Sequence, residues 1–188
     1  IDVATLAVTN IPFTVDANIK IAETLHVDSP AAPDQFTAKV IRHAVTSPDQ
    51  KTLVFNALGH LWTKRLPNGT PKRLTNGSDF EFEPTFSPDG KTIVFVTWND
   101  ENLGAIYKIP ASGGTMTKLS TEKGIYRTPS FSPNGKMITY QKESGNNDQG
   151  RVFSKKSGIY TISSDGSNKK WVVDEGAYPV FTKDGKRI

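Results

Sequence analysis

Apolar residues in this chain fall into short β-branched and aromatic runs bounded by Gly, Pro, Asn and Asp, the pattern of strands joined by tight turns. The stretch from Glu83 to Ile109 shows it most fully. Glu83-Pro84-Thr85-Phe86 runs into Ser87-Pro88-Asp89-Gly90-Lys91, then Thr92-Ile93-Val94-Phe95, and after a loop Ala105-Ile106-Tyr107-Lys108-Ile109. Pro88 presets the φ of a turn's second position, Asp89 can bond locally to backbone, and Gly90 accepts the positive φ of a hairpin exit. The predicted order is strand, turn, strand, loop, strand.

The same pattern recurs. Its turn reappears as Ser47-Pro48-Asp49-Gln50-Lys51, Ser132-Pro133-Asn134-Gly135-Lys136 and Thr182-Lys183-Asp184-Gly185-Lys186, with starts separated by 40, 45 and 50 residues. A proline stands three residues upstream at Pro84, Pro129 and Pro179, and an aromatic immediately before the turn at Phe86, Phe131 and Phe181. Downstream come Leu53-Val54-Phe55, Ile93-Val94-Phe95 and Ile138-Thr139-Tyr140, then the pairs Leu61-Trp62, Ile106-Tyr107 and Ile159-Tyr160. Each unit closes on Asn68-Gly69, Gly113-Gly114 or Asp165-Gly166 and a last short strand, Arg73-Leu74-Thr75, Lys118-Leu119-Ser120 or Trp171-Val172-Val173. Four short antiparallel strands every 40 to 50 residues predict propeller blades.

The period grows because the distance from the turn lysine to the aromatic of the pair rises through 11, 16 and 24 residues. This predicts a nearly constant unit with one lengthening loop. The longest insertion, Lys142 to Ser157, has only Val152 and Phe153 as apolar residues, and is expected to project and to be mobile, with Phe153 as its anchor if it orders.

Residues 1–36 lie outside the repeats and are read as an N-terminal β extension and linker. Phe13, Val15, Ala17, Ile19 and Ile21 alternate with polar residues, the period of a strand with one buried face, before Ser29-Pro30-Ala31-Ala32-Pro33-Asp34 breaks the pattern. Residues 37–188 carry the repeats, opening on a strand over Val40–Val45.

Composition adds exclusions. No run of about 18 apolar residues is present to form a membrane span. With no cysteine, disulfides and zinc-thiolate sites are ruled out. The formal charge is +4, and the doublets Lys155-Lys156 and Lys169-Lys170 lie among Ser, Gly and Asn without interleaved aromatics, so no nucleic-acid groove is expected. The chain opens on Ile1 without a basic-then-apolar leader, as a processed product or fragment would.

No catalytic set is legible. His26, His43 and His60 stand far apart, unlike the ligands of a metal hydrolase. Ser47, Ser87 and Ser132 belong to structural turns and lack the strand-to-helix elbow of a nucleophilic serine. Gly113-Gly114 precedes no helix pattern and reads as a hairpin turn, and Asn99-Asp100-Glu101-Asn102 lacks the alternating carboxylates of a cation loop.

Across Thr37–Ile188 the units resemble the TolB-type propeller repeat. A longer similarity, carried by Phe13-Thr14-Val15, Val45-Thr46-Ser47-Pro48-Asp49, Ala57-Leu58-Gly59-His60-Leu61-Trp62, Leu66-Pro67-Asn68-Gly69-Thr70-Pro71 and Val96-Thr97-Trp98-Asn99-Asp100-Glu101, resembles the N-terminal propeller region of large exported bacterial amidohydrolases. That resemblance implies a non-catalytic scaffold, binding or gating domain, a divalent metal held elsewhere in a parent enzyme, no cofactor in this chain, and a periplasmic or secreted location. Two other readings stand beside it: a TolB-like interaction module of the bacterial envelope, and the propeller of a prolyl-oligopeptidase-type serine peptidase.

Closed propellers use about 4 to 8 blades. Three full units and the opening of a fourth therefore predict an all-β, open arc, whose free blade is covered by the remainder of its own propeller and through it a hydrolase domain, or by a second chain. Far-UV circular dichroism should show a β-dominated spectrum; helix above about a quarter would overturn this fold class.

Overall fold

A computed structural model describes residues 3–21, 34–145 and 156–188. The chain separates into two compact units, Ile1–Phe36 and Thr37–Ile188. In the first, residues 3–21 contain no strand, and Phe13, Val15, Ile19 and Ile21 are exposed. The strand expected over Phe13–Ile21 is not formed. Alternation supplies one apolar face, but a strand holds only where a neighbour supplies ladder hydrogen bonds and covers that face.

The second unit is three antiparallel four-stranded sheets, each in sequence order. Blade 1 comprises β1 (Arg42–Thr46), β2 (Thr52–Ala57), β3 (His60–Arg65) and β4 (Lys72–Arg73). Blade 2 comprises β5 (Phe80–Phe86), β6 (Thr92–Asn99), β7 (Leu103–Pro110) and β8 (Thr117–Lys118). Blade 3 comprises β9 (Ile125–Phe131), β10 (Met137–Glu143), β11 (Gly158–Ser163) and β12 (Lys170–Val173). Residues 178–188 open a fourth unit, whose turn is closed by Thr182 N–H to Arg187 O at 2.9 Å, matching Ser87 N–H to Thr92 O at 2.8 Å. The described residues contain no helix. The fold is an open, partial β-propeller.

Three boundaries depart from the sequence reading. The first strand begins at Arg42, not Val40. In blade 2 the extra residues lengthen strands and not a loop: β6 and β7 pair without interruption from Thr92↔Pro110 to Asn99↔Leu103, leaving a three-residue connection. Ladder bonding and burial of Val96 and Thr97 override the loop reading of Trp98 and Asn99. In blade 3, Lys142 and Glu143 belong to β10, so the insertion starts later than expected. Residues 146–155, on which its predicted projection and mobility rest, lie outside the described residues.

The core lies between blades. Val54, Leu61 and Leu74 of blade 1 meet Phe86, Ile93, Phe95 and Ile109 of blade 2. On the other face of blade 2, Val94, Val96, Ile106 and Leu119 meet Ile138, Tyr140, Tyr160 and Ile162 of blade 3. Strand alternation makes this possible, since Ile93 and Phe95 point one way and Val94 and Val96 the other. Tyr126, Tyr140 and Tyr160 form a ladder with ring centroids 5.7 and 5.6 Å apart.

The three repeated phenylalanines occupy equivalent places, and the first is the most enclosed. Phe86 is buried, Phe131 packs half-buried against the second core, and Phe181 is half-buried at the free end. Phe86→Ala should therefore cost about 3 kcal/mol or more, and Phe181→Ala clearly less, in urea unfolding. Equal losses would show that the free end is as enclosed as the interior.

Candidate functional site

The turn motif is a hydrogen-bonded unit that explains its own repetition. Ser87 Oγ donates to Asp89 Oδ1 at 2.6 Å and accepts from Thr92 N–H at 3.0 Å, while Lys91 N–H donates to Asp89 Oδ1 at 3.1 Å. Ser47, Asp49, Lys51 and Thr52 repeat these bonds at 2.6, 3.1 and 2.9 Å. Ser132 and Asn134 repeat them with an amide oxygen in place of the carboxylate, at 2.8, 2.9 and 3.0 Å. In the fourth turn Thr182 stands for serine beside Asp184, and Arg187 N–H reaches its hydroxyl at 3.1 Å. The serine hydroxyls are thus committed to the turn, with no histidine within their bonding set.

Glycine holds the left-handed position at Gly90, Gly135 and Gly185, with φ of 70°, 71° and 68°. Each lies against the proline of the preceding turn: a β-carbon at Gly90 would sit 3.3 Å from Pro48 Cδ, and at Gly135 and Gly185 3.6 Å from Pro88 and Pro133 Cδ. The turns therefore form a stair along one end of the blades. Only the first departs, where Gln50 takes φ of 58°. Between the second and third turns a cleft of about 490 Å³ is lined by Ser87, Asp89, Lys108, Asn134 and Ser164, and Lys108 Nζ crosses it to Ser164 O at 2.7 Å.

A second repeated feature carries side chains toward open space. The innermost strand of each of the three blades is bulged, and His43, Glu83 and Thr128 there, with Tyr178 at the equivalent place in the fourth unit, take φ of 51°, 52°, 48° and 53°. Register shifts mark the bulges between Arg42 and Val45 and between Phe82 and Thr85, and in β9 opposite Thr139–Gln141. Such bulges bend a strand and redirect its side chains. All four residues line one cavity of about 270 Å³, together with Pro84, Pro129 and Pro179. An adjoining cleft of about 310 Å³ adds Arg42, Phe82, Trp98 and Arg127. His43 meets Phe82 edge-on with centroids 6.5 Å apart.

Glu83 braces this rim across two blades. Its carboxylate accepts from Arg127 Nε at 2.8 Å and Thr128 N–H at 2.5 Å, and pairs with a terminal guanidinium nitrogen of Arg127 at 2.7 Å. The hydrogen bond that Arg127 donates to Glu83 is the largest cause holding its guanidinium above its ordinary value, opposed by partial burial. Glu143 adds a looser contact at 3.7 Å. Thr128 Oγ1 is buried without a hydrogen-bond partner.

Of two further carboxylates, Glu81 ties blade 2 to blade 1 and Glu122 ties the connection before β9 to blade 3. Glu81, fully buried, accepts from Leu61 N–H at 2.7 Å and Thr75 Oγ1 at 2.6 Å in blade 1, while its other oxygen has no partner. Glu122 accepts from Lys142 Nζ at 2.8 Å and from Lys169 Nζ, and these bonds hold its carboxyl down at about 2.

Among the described residues no three His, Cys, Asp or Glu side chains converge as a metal cluster would. His43 lies on the rim and His60 stands 3.9 Å from Glu81, next to Arg73; His26 is outside the described residues. In the Asn99–Asn102 turn, Asp100 accepts from Trp98 Nε1 at 2.9 Å and Asn99 Oδ1 from Asn102 N–H at 2.6 Å. The rim can bind, shape and exclude; its carboxylate, Glu83, is committed to Arg127 and to the backbone of Thr128. The bulged positions escaped the sequence reading, although their spacing of 40, 45 and 50 residues and the proline after three of them were visible.

Several outcomes are expected from this geometry. The carboxyls of Asp49, Asp89 and Asp184 lie below their ordinary value of 3.8, chiefly through the hydroxyls of Ser47, Ser87 and Thr182 and then backbone N–H groups. A carboxyl depressed on folding contributes stability that is present above its unfolded value and lost as pH falls through the folded one. The melting temperature should therefore drop below about pH 4, and Asp89→Asn, which copies Asn134, should keep the neutral-pH fold while flattening that drop. Gln50→Gly should raise stability by about 1 kcal/mol in urea unfolding by relieving the left-handed backbone. Glu83→Gln should lower it by about 1 kcal/mol, the half-exposed Arg127 limiting the loss.

Comparison with known proteins places these features in a family. A TolB structure from Agrobacterium tumefaciens is 25% identical with a TM-score of 0.62, covering 78% of this chain and 52% of that one. TolB from Acinetobacter baumannii is 27% identical with a TM-score of 0.53, covering 67% of this chain and 30% of that one. The tricorn protease, at 16% identity and a TM-score of 0.57 over 72% of this chain and 13% of that one, shares the fold. The chain thus spans about half or less of the length of these structures. No curated protein matches it. Residues 39–188 match the tricorn protease N-terminal β-propeller domain, and the chain belongs to that family.

Proposed function

We propose that this chain forms blades of a larger propeller that serves as a non-catalytic scaffold, binding or gating domain for a metal-dependent amidohydrolase of the bacterial envelope. The carrying observation is the uncovered outer edge of blade 3, since Ile159 and Thr139 nearer the centre of that face are already buried. Leu74 and Leu119, at the outer edges of blades 1 and 2, are 6% and 2% exposed beneath the following blade, whereas Val172 at the same register is 41% exposed. A further blade stacked in the established manner would cover Val172 and extend the interface already repeated twice.

The rim of His43, Glu83, Thr128 and Tyr178 is then part of a central opening, suited to admitting or holding a partner. The amidohydrolase itself rests on the longer sequence resemblance, and any metal belongs to that second domain. The TolB structures, at 25% and 27% identity, favour an alternative, an envelope interaction module. Family membership favours a peptidase-associated propeller as a further alternative.

The parental coding sequence distinguishes these readings. Closely spaced metal-binding His and Asp motifs after the propeller would support the amidohydrolase, a Gly-x-Ser-x-Gly motif the peptidase, and further repeats alone the interaction module. The 188-residue chain alone should self-associate through blade 3, and Val172→Glu should suppress this in sedimentation. A monodisperse monomer at high concentration would show that the outer edge needs no cover.

A further inference from the structure

The two ends of the blades differ in charge. The antiparallel order places the turns after β1, β5 and β9, and that at 182–187, at one end, and the stair of Pro48–Gly90, Pro88–Gly135 and Pro133–Gly185 contacts sets them side by side. Every one of these turns closes on an exposed lysine: Lys51, Lys91, Lys136 and Lys186. Strand ends at the same level add Arg65, Lys72 and Lys170, all exposed, and Lys183 and Arg187 follow in the last turn. The acidic groups here, Asp49, Asp89, Asp165 and Asp184, each accept a hydrogen bond from a neighbouring hydroxyl and a backbone N–H within their own turn. Cations outnumber them, so the turn end is a broad positive surface.

At the opposite end, the described loops carry Asp79, Asp100, Glu101, Glu122, Asp174 and Glu175, against Lys123 and Lys156, and the strand ends there add Arg42 and Arg73. The positive excess among the described residues of the blades is therefore concentrated at the turn end. Asymmetry of this kind orients a molecule against a charged surface.

We propose that the turn end docks on an anionic bilayer surface. The cations are lysines for the most part, spread at blade intervals, each exposed on a flexible stem. No aromatic platform interleaves them, which disfavours a nucleic-acid strand that would need stacking. Nor does a single pocket gather the turn lysines as recognition of one compact anion requires. A fixed acidic protein face would have to match their spacing, whereas lipid headgroups diffuse beneath whichever cations arrive. Polybasic surfaces bind anionic lipid additively and only within a Debye length of the surface.

Co-sedimentation of the 188-residue chain with vesicles tests this. Binding is expected to phosphatidylglycerol-containing vesicles and not to pure phosphatidylcholine, and to fall as salt rises and the screening length shrinks from about 30 to about 8 Å. The double variant Lys91→Glu/Lys136→Glu should lower partitioning roughly tenfold or more, whereas Lys123→Glu at the opposite end should leave it within about twofold. Should charge reversal disturb the turns, seen as a lowered melting temperature, Lys51→Ala/Lys186→Ala serves instead and should still weaken binding several-fold. Indifference to phosphatidylglycerol, unchanged binding by these variants, or tighter binding to duplex DNA or single-stranded RNA than to the vesicles would overturn the proposal.

Discussion

Blade 2 has two apolar faces, and a sheet can bury neither by itself. That constraint governs the rest. Blade 2 satisfies it on both sides, with Ile93 and Phe95 turned to blade 1 and Val94 and Val96 to blade 3, all nearly inaccessible to water. Burial at roughly 25 cal/mol per Å² of apolar surface makes these interfaces the main source of stability, and makes any uncovered blade face a demand for a partner. The progression from buried Phe86 to half-buried Phe181 follows one core being closed on both sides and the next on one.

Polar groups at the blade interfaces set how the sheets meet. Glu81 reaches back to the backbone of Leu61 and the hydroxyl of Thr75, Glu83 reaches forward to Arg127 and Thr128, and Glu122 joins Lys142 and Lys169. Apolar packing tolerates sliding; a carboxylate accepting two or three directed bonds does not. Glu83 couples this registration to the rim, because its own bulge and the next one are held by the same carboxylate. The central opening and the stacking of blades are consequently one structural problem.

The turn motif illustrates how repeated chemistry can be mistaken for a site. Three serines at regular intervals, each beside an Asp or Asn, invite a catalytic reading until their bonds are traced. Every hydroxyl closes its own turn, and every turn glycine leaves room for the proline of the preceding unit. Repetition there serves geometry, while the features with scope for binding, the bulged rim and the row of turn lysines, come from positions adjacent to the motif.

The strand content, the four-strand unit, the turn residues and the open count of blades were all legible in the amino-acid sequence, because turn geometry depends on local chemistry that Pro, Asp and Gly declare. Tertiary structure alone decided the rest. Non-glycine residues at positive φ have no shared side chain, so His43, Glu83, Thr128 and Tyr178 differ in type although they occupy one backbone state, and only their repeat spacing and the proline after three of them mark them in the sequence. The Glu83–Arg127 pair spans 44 residues and exists only once two blades are stacked. Trp98 and Asn99 read as loop and became strand because a paired neighbour outweighed weak local preference. The opposite outcome befell Phe13–Ile21, whose alternation is as regular as any in the blades, yet without a neighbouring strand to complete its hydrogen bonds it stays unpaired and exposed.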